Sequence, residues 1–405
     1  MEQSTIVLDL TRTLSRVGRG VPTGIDRVER AYLGELLASD HSAFGLARTA
    51  AGLCMLDRRG LVSLQAHLDG DTQWDAHDLA GRLSVKLTCA QKSAQATVRR
   101  LAKRTSYARR NWSRVWRDAG PSPIYLNVGH SNLDPANADA TKAIGAQAAV
   151  LLHDVIPLRA PETQAIGGIQ RFERKFRAAL AIAHKMVTFS EAEASNIRAQ
   201  ARAIGFSPDV VVVPPFVQPA NPAMSAKRPT KPFFTFVGTL EPRKNLSLIL
   251  DVWGDLGPIA PGLCIIGQRG WEQPEVLARL DALKAERSNV FEFDNLRDAE
   301  VAALVADSEA LLFPSIAEGY GFPPHEALCL DIPPIVAPLP VHHETLGRNA
   351  IYADINDRYR WAELVCDATA LAQAKEETMR VRAGKHLLPS WQEHFQKVLR
   401  ILTAY

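Results

Sequence analysis

Ten short runs of β-branched and other apolar residues constrain this 405-residue chain more than any other feature. The first half holds "TIVLDL", "AAVLLHDV", "KMVTFS" and "VVVVPP"; the second holds "FFTFVGT", "LCIIGQ", "VFEFD", "ALLFPS", "PPIVAP" and "AIYAD". Each is bounded by turn residues and followed by a helical pattern. Near-continuous apolar strands alternating with helices predict parallel sheets covered on both faces. Between the halves, "VQPANPAMSAKRPTKP" (217–232) is rich in Pro, Ala and Lys and has no hydrophobic period, so it reads as a linker. The expected architecture is two doubly wound α/β domains, 1–216 and 233–385, facing across a cleft.

Two helix starts carry capping-box spacing, Ser190 with Glu193 and Ser390 with Glu393. After the second, Trp391, Phe395, Val398 and Leu402 fall on one helical face, so the segment 386–405 must dock on a core. The 46% hydrophobic and 22% charged residues are those of an ordinary soluble chain. No run of about 18 apolar residues is present, and "MEQSTIVLDL" lacks the basic flank and cleavage site of a signal peptide. Five scattered cysteines (Cys54, Cys89, Cys264, Cys329, Cys366) lack metal-ligand spacing and are expected to be buried thiols in a reducing cytosol.

Charge is distributed unevenly. Residues 91–118 contain nine Lys or Arg and one acid, a local +8 that leaves −5 for the remainder of a +3 chain. At 100° per residue, Val98, Leu101, Ala108, Trp112, Val115 and Trp116 share an arc of about 100°, with most of the cations opposite. A continuous helix over 98–117 with a basic face and a Trp-bearing face fits an anionic membrane surface. A helix packing that stripe on the core is the competing reading, and nucleic-acid binding ranks last.

The chemistry-bearing segments lie at predicted strand ends, where open parallel sheets bind ligands. In "GTLEPRKN" (238–245), Arg243 and Lys244 precede a helix and suit a diphosphate; a solvated turn is the bland alternative. In "FPSIAEGYGFPPHEALCL" (313–330), Glu318 and Glu326 flank a loop that Gly319 and Gly321 open and Pro323 and Pro324 stiffen, with Glu326 expected in the first turn of a helix. Carboxylates accept paired hydroxyls, so Glu326 could take a ribose diol and Glu318 a second polyol. Otherwise Glu326 serves only the helix dipole and Glu318 lies at the surface.

"FVGTLEPRKNLSLIL" followed by "LLFPSIAEGYGFPPHEAL" resembles the carboxy-terminal half of the retaining glycosyltransferases of family 4 (glycosyl transferases group 1), which have the GT-B fold. "TGIDRVERAYL", "LLHDVIPL", "VTFSEAEASNI" and "SWQEHFQKVL" resemble further segments of that family, whereas residues 40–125 match none. The resemblance implies roles residue by residue. Arg243 and Lys244 would bind the diphosphate. Glu318 would hold the transferred sugar, beside the amides of Tyr320, Gly321 and Phe322. Glu326 would bind the ribose. Thr239 and Gly319 would line the donor, and Asn295, within "FDNL" (293–296), would lie by the base. Gly24 would approach the phosphates, and His153, followed by Asp154, would lie near the reacting sugar; a packed core histidine is the alternative. The closing helix would return to the first domain.

The function so implied is a retaining hexosyltransferase building a bacterial surface glycan, an O-antigen or capsule, with GDP-mannose ahead of dTDP-rhamnose or UDP-glucose as donor. No metal or cofactor is expected, since no Asp-x-Asp motif is placed for one. The partners expected are a nucleotide-sugar, a glycan or lipid-linked glycan acceptor and an anionic membrane surface through 98–117, with no nucleic acid. The expected location is cytoplasmic, on the inner face of the cell membrane. A catalytically silent scaffold and an epimerase of the same fold are the alternatives. A dehydrogenase would need Gly-x-Gly-x-x-Gly after a strand, a motif missing from the sequence.

Overall fold

In the computed structural model, described here for residues 4–20, 22–107, 112–223, 228–382 and 389–403, the chain forms two α/β domains. The strands of the first are β1 (Thr5–Asp9), β2 (Ser42–Thr49), β3 (Gly52–Leu56), β4 (Arg104–Ser106), β5 (Ile124–Asn127), β6 (Gln147–Leu151), β7 (Lys185–Thr188) and β8 (Val210–Val212). They order as β4-β3-β2-β1-β5-β6-β7-β8. From β2 to β8 every pair is parallel, but β3 runs antiparallel to β2 and β4 antiparallel to β3. The antiparallel edge falls within residues 40–125, the stretch the sequence left unplaced.

The second domain contains β9 (Phe233–Val237), β10 (Gly262–Ile266), β11 (Val290–Phe293), β12 (Leu311–Phe313), β13 (Pro334–Val336) and β14 (Ile351–Tyr352). They form a wholly parallel sheet ordered β11-β10-β9-β12-β13-β14. Alternation along each central strand fills a core on both faces. In β1, Ile6 and Leu8 pack with Leu33 and Leu36, and Val7 packs on the opposite face with Tyr125. In β9, Phe234 and Phe236 face Trp253, while Phe233 faces Leu304.

Residues 213–232 pass between the domains without helix or strand among those described, and the closing helix Trp391–Thr403 passes back. Its Phe395, Val398, Leu399 and Leu402 are buried in the core of the first domain beside Tyr32. Ser390 and Glu393 cap it reciprocally: the Ser390 amide donates to Glu393 Oε2 at 2.7 Å, and the Glu393 amide to Ser390 Oγ at 3.1 Å. His394 Nδ1–H donates to the Pro214 carbonyl at 2.8 Å, leaving Nε2 to accept from Tyr32 Oη–H at 2.7 Å. That pair of bonds ties the last helix to both the linker and the first domain.

The continuous basic helix does not form. Helix Cys89–Leu101 ends before β4, and a separate short helix spans Trp112–Trp116; Ala108, counted in the predicted stripe, lies outside the described residues. Trp112 and Trp116 are only 2% and 1% exposed, inside the core that includes Val7 and Tyr125. Several of the cations are also engaged: Arg99 with Asp78, Arg100 with Asp75 and Arg104 with Asp118. The Trp face predicted to meet a membrane is core. Thiol burial is corrected too, since only Cys54 and Cys264 are buried and Cys89, Cys329 and Cys366 are exposed.

Candidate active site

At the end of β9 the chain turns through Gly238 and Thr239 into a single 3₁₀ turn, Pro242–Lys244. Asn245, left-handed at φ 58°, separates that turn from helix Leu246–Leu256. The break turns both cations toward the end of β12. Lys244 Nζ donates to Glu318 Oε1 at 2.6 Å, and Arg243 Nη1 stands 2.9 Å from the same oxygen. Arg243 also pairs with Glu241 at 2.5 Å, and Lys244 lies 4.4 Å from the Phe313 ring centre. Glu318 is 8% exposed. Burial by itself would raise its carboxyl pKa, but Arg243 and Lys244 overcome this and hold it at about 2. The carboxylate is therefore charged wherever the protein works.

The loop after Glu318 is shaped by close approach. A Cβ on Gly319 would sit 2.4 Å from the His153 carbonyl oxygen of the other domain, so only glycine lets the two backbones meet. Gly321, at φ 81°, leads into helix Phe322–Cys329, where Pro323 and Pro324 occupy the first turn. Glu326 is the fifth residue of this helix, one turn later than expected, because the helix starts at Phe322. It forms an ion pair with Arg27, which projects from helix Gly24–Ala38 of the first domain. Tyr320 is buried and stacks on His325, with ring centres 4.5 Å apart.

The first domain supplies the opposite wall. His153 follows β6; its Nε2–H donates to the Val128 carbonyl at 2.9 Å, which leaves Nδ1 as an acceptor. Burial lowers its pKa to about 4, so the ring is neutral near pH 7. Asp154 is half-buried beside it, and desolvation raises its carboxyl above the ordinary value, with Arg243 pulling the other way. Arg12 donates to Asp26 at 2.7 Å and to Thr23 Oγ1 at 3.2 Å at the start of the Gly24 helix. Further contacts bridge the domains: Trp271 Nε1–H donates to the Thr163 carbonyl at 2.9 Å, and the Glu344 carboxylate accepts the Glu191 and Ala192 amides at 2.7 and 2.8 Å.

Between these walls lies a cleft of about 540 Å³. It brings together Gly24, His153, Thr239, Arg243, Lys244 and Glu318, and its lining continues over the loop through Phe322 to Glu326. Asn295 is not brought in: it is exposed, while its neighbours Phe293, Asp294 and Leu296 face the cleft. Arg12 and Arg27 line it without having been singled out in the sequence. The only trace of Arg27 was its place one turn after Gly24, on the face that also carries the loop-facing glycine.

One predicted cap is half formed. Ser190 Oγ accepts the Glu193 amide at 3.2 Å, but the Glu193 carboxyl does not return to Ser190. It turns inward, with Oε1 accepting the Val155 amide at 2.7 Å and Oε2 accepting from Asn196 at 3.1 Å. Burial, reinforced by the negative charge of Asp154, lifts its pKa from 4.5 to about 8. The folded protein keeps a proton there that the unfolded chain has released. The resulting stability is full below 4.5 and is lost as pH rises through 8. Glu193→Gln is therefore expected to flatten the fall in melting temperature from about pH 5 to about pH 9. Parallel melting curves for the two proteins across that range would refute the assignment.

Residues 217–381 match the family described as glycosyl transferases group 1. The second domain is a glycosyl transferases group 1 domain. Among related chains, the serotype-specific mannosyltransferase WbdA of Escherichia coli is 31% identical over 235 residues, 53% of this chain and 29% of WbdA. The O-antigen chain mannosyltransferase RfbU of Salmonella typhimurium is 28% identical over 151 residues, 36% of this chain and 41% of RfbU. The matches thus span less than half the length of either relative. In structure, sucrose-phosphate synthase from Thermosynechococcus elongatus aligns at a TM-score of 0.62 and 14% identity, covering 98% of both chains. Anabaena HepE in complex with UDP and glucose aligns at 0.63 and 13% identity, covering 99% of this chain and 100% of that one. The fold is GT-B, as the resemblance implied, and the group 1 domain supplies the Glu318–Lys244–Arg243 side of its cleft.

Proposed function

We propose that this chain is a glycosyltransferase that moves a hexose from a nucleotide-sugar to a growing O-antigen-type glycan, with retention at the anomeric carbon and without a metal ion. The observation that carries it is the buried Glu318 carboxylate held by Lys244 and Arg243 in the group 1 domain, facing His153 across the cleft. The names of WbdA and RfbU support mannose as the sugar and so GDP-mannose as the donor. A UDP-sugar remains the alternative that the HepE complex supports.

In this reading Arg243 and Lys244 take the diphosphate, and Glu318 exchanges part of its hold on them for hydroxyls of the sugar. Glu326 accepts from the ribose with the oxygen that Arg27 leaves open. The acceptor hydroxyl forms the new bond to the anomeric carbon while the bond from that carbon to the phosphate oxygen breaks, on the same face. The leaving diphosphate takes the acceptor's proton, and the two cations stabilise the charge it gains. His153, neutral with Nδ1 as acceptor, receives a sugar hydroxyl and transfers no proton.

A donor panel read by thermal shift and nucleotide release tests this directly. GDP-mannose is expected to raise the melting temperature, and transfer is expected to persist in EDTA. Glu326→Ala is expected to weaken donor affinity by about tenfold, the worth of a charged hydrogen-bond pair. A panel in which no nucleotide-sugar shifts the melting temperature would sink the transferase assignment. Activity lost in EDTA and restored by Mg²⁺ would overturn metal independence alone. An inverted product linkage by NMR would overturn retention alone.

A further inference from the structure

The buried tryptophans remove one candidate membrane surface, and the fold exposes another that the helical wheel did not contain. Residues 79–117 hold eleven Lys or Arg and no acid. At the start of that stretch, the one-turn helix Leu79–Leu83 and the residues after it present Leu79, Leu83 and Val85 at 75%, 82% and 96% exposure. Arg82 and Lys86 are exposed among them. The apolar side chains have no route inward because the opposite side of the helix is anchored. A Cβ on Gly81 would lie only 3.4 Å from the Cβ atoms of His77 and Lys92, so that side is packed. Asp78 accepts the Gly81 amide at 2.8 Å and holds Arg99 with both oxygens at 2.6 Å. Leu79 and Leu83, four residues apart, then share the outward face.

The acids nearest in sequence cannot neutralise this patch, since Asp78 is taken by Arg99 and Asp75 by Arg100. Large, mostly exposed apolar groups, interleaved with cations that form no ion pair among the described residues, match a surface that is anionic at its headgroups and apolar just beneath. A second copy of the chain would bring Arg82 and Lys86 against like charges. The patch also has a meaningful place. Ala90 packs against Gly18, where a Cβ would lie 2.4 Å away, and Gln91 Nε2 donates to the Ser15 carbonyl at 2.5 Å. That loop runs on to Thr23 and Gly24 at the lip of the cleft.

We infer that residues 79–86 dock this protein on an anionic phospholipid bilayer, with Leu79, Leu83 and Val85 entering the interface and Arg82 and Lys86 at the headgroups. The cleft lip then opens beside the membrane, where an acceptor carried on a lipid is delivered. Only this last consequence rests on the transferase reading.

The test uses the full chain in vesicle flotation, with phosphatidylcholine alone or mixed with phosphatidylglycerol. The wild type is expected to float with the anionic vesicles, and Leu83→Glu with Val85→Glu to reduce binding by at least ~10-fold. Arg82→Gln with Lys86→Gln is expected to weaken it several-fold and to lessen its sensitivity to salt. Because these side chains are exposed, melting temperatures should not move. Ile259→Glu with Tyr359→Glu, at exposed apolar sites of the other domain, should bind as wild type. Wild type that stays unbound, or a Leu83→Glu, Val85→Glu protein that floats equally well, would overturn the inference. So would a change in oligomeric state in that variant without any change in flotation, which would assign the patch to a protein contact. Transfer to a soluble acceptor, if present, should be unchanged in all of these variants, so docking and catalysis can fail separately.

Discussion

Glu318→Ala is expected to slow transfer by about 10²–10³ and to destabilise the second domain at the same time. The carboxylate accepts Lys244 at 2.6 Å and sits 2.9 Å from Arg243. Arg243 would keep Glu241, but Lys244 would be left buried without its hydrogen-bonded counter-ion, with the Phe313 ring beneath it. Removing one member of a buried ion pair costs about 3–5 kcal/mol, because the survivor's desolvation is no longer offset. Losing a group that positions the reacting centre costs about 10²–10³ in turnover. Glu318→Gln separates the two effects: it keeps the shape and one acceptor but not the charge, so only part of the stability should return while turnover stays low. Turnover near wild type in Glu318→Gln would reduce the residue to a structural anchor. The pH dependence has a fixed sign. With its pKa lowered from 4.5 to about 2, Glu318 contributes stability that is complete above 4.5 and lost as pH falls toward 2. The wild type should therefore lose its advantage over Glu318→Gln in acid.

Trp116→Ala is expected to cost about 3–5 kcal/mol and to lower the melting temperature by roughly 10 °C. The indole is 1% exposed and meets Tyr125 edge-on, with ring centres 5.3 Å apart, in a core that also takes in Val7 of the central strand. Truncation opens a cavity that a sheet packed on both faces cannot close. Binding to anionic vesicles should be unaffected below the melting temperature. An unchanged melting temperature with lost vesicle binding would return the tryptophan to a membrane face.

These two residues also show why one part of the molecule was legible in the sequence and another was not. Glu318 stands in a stretch whose glycines, prolines and second carboxylate are all local, and Arg243 and Lys244 follow a strand that reads as a strand. In β9, β10 and β13 both faces are buried, so the runs are apolar without interruption. Of the four missed strands, β3, "GLCML", and β5, "IYLN", are apolar but only five and four residues long, and the other two are different. β2, "SAFGLART", mixes small and polar residues, and β4 is only "RTS". Their burial comes from neighbours distant in sequence, and composition does not record it. The basic segment failed for another reason: helical phase arithmetic assumes an unbroken helix, and β4 interrupts it between Leu101 and Trp112. Arg27 was invisible because a cation on an amphipathic helix looks solvated until Glu326 of the other domain appears opposite it.

The return of helix Trp391–Thr403 to the first domain has a kinematic meaning. The domains are joined by two covalent crossings, one through 213–232 and one between helices Ala368–Arg382 and Trp391–Thr403. A second crossing removes freedom that a single tether would leave, because the halves cannot turn about one crossing without displacing the other. Any separation of the halves would part Arg27 from Glu326, and Glu344 from the Glu191 amide, while both crossings hold.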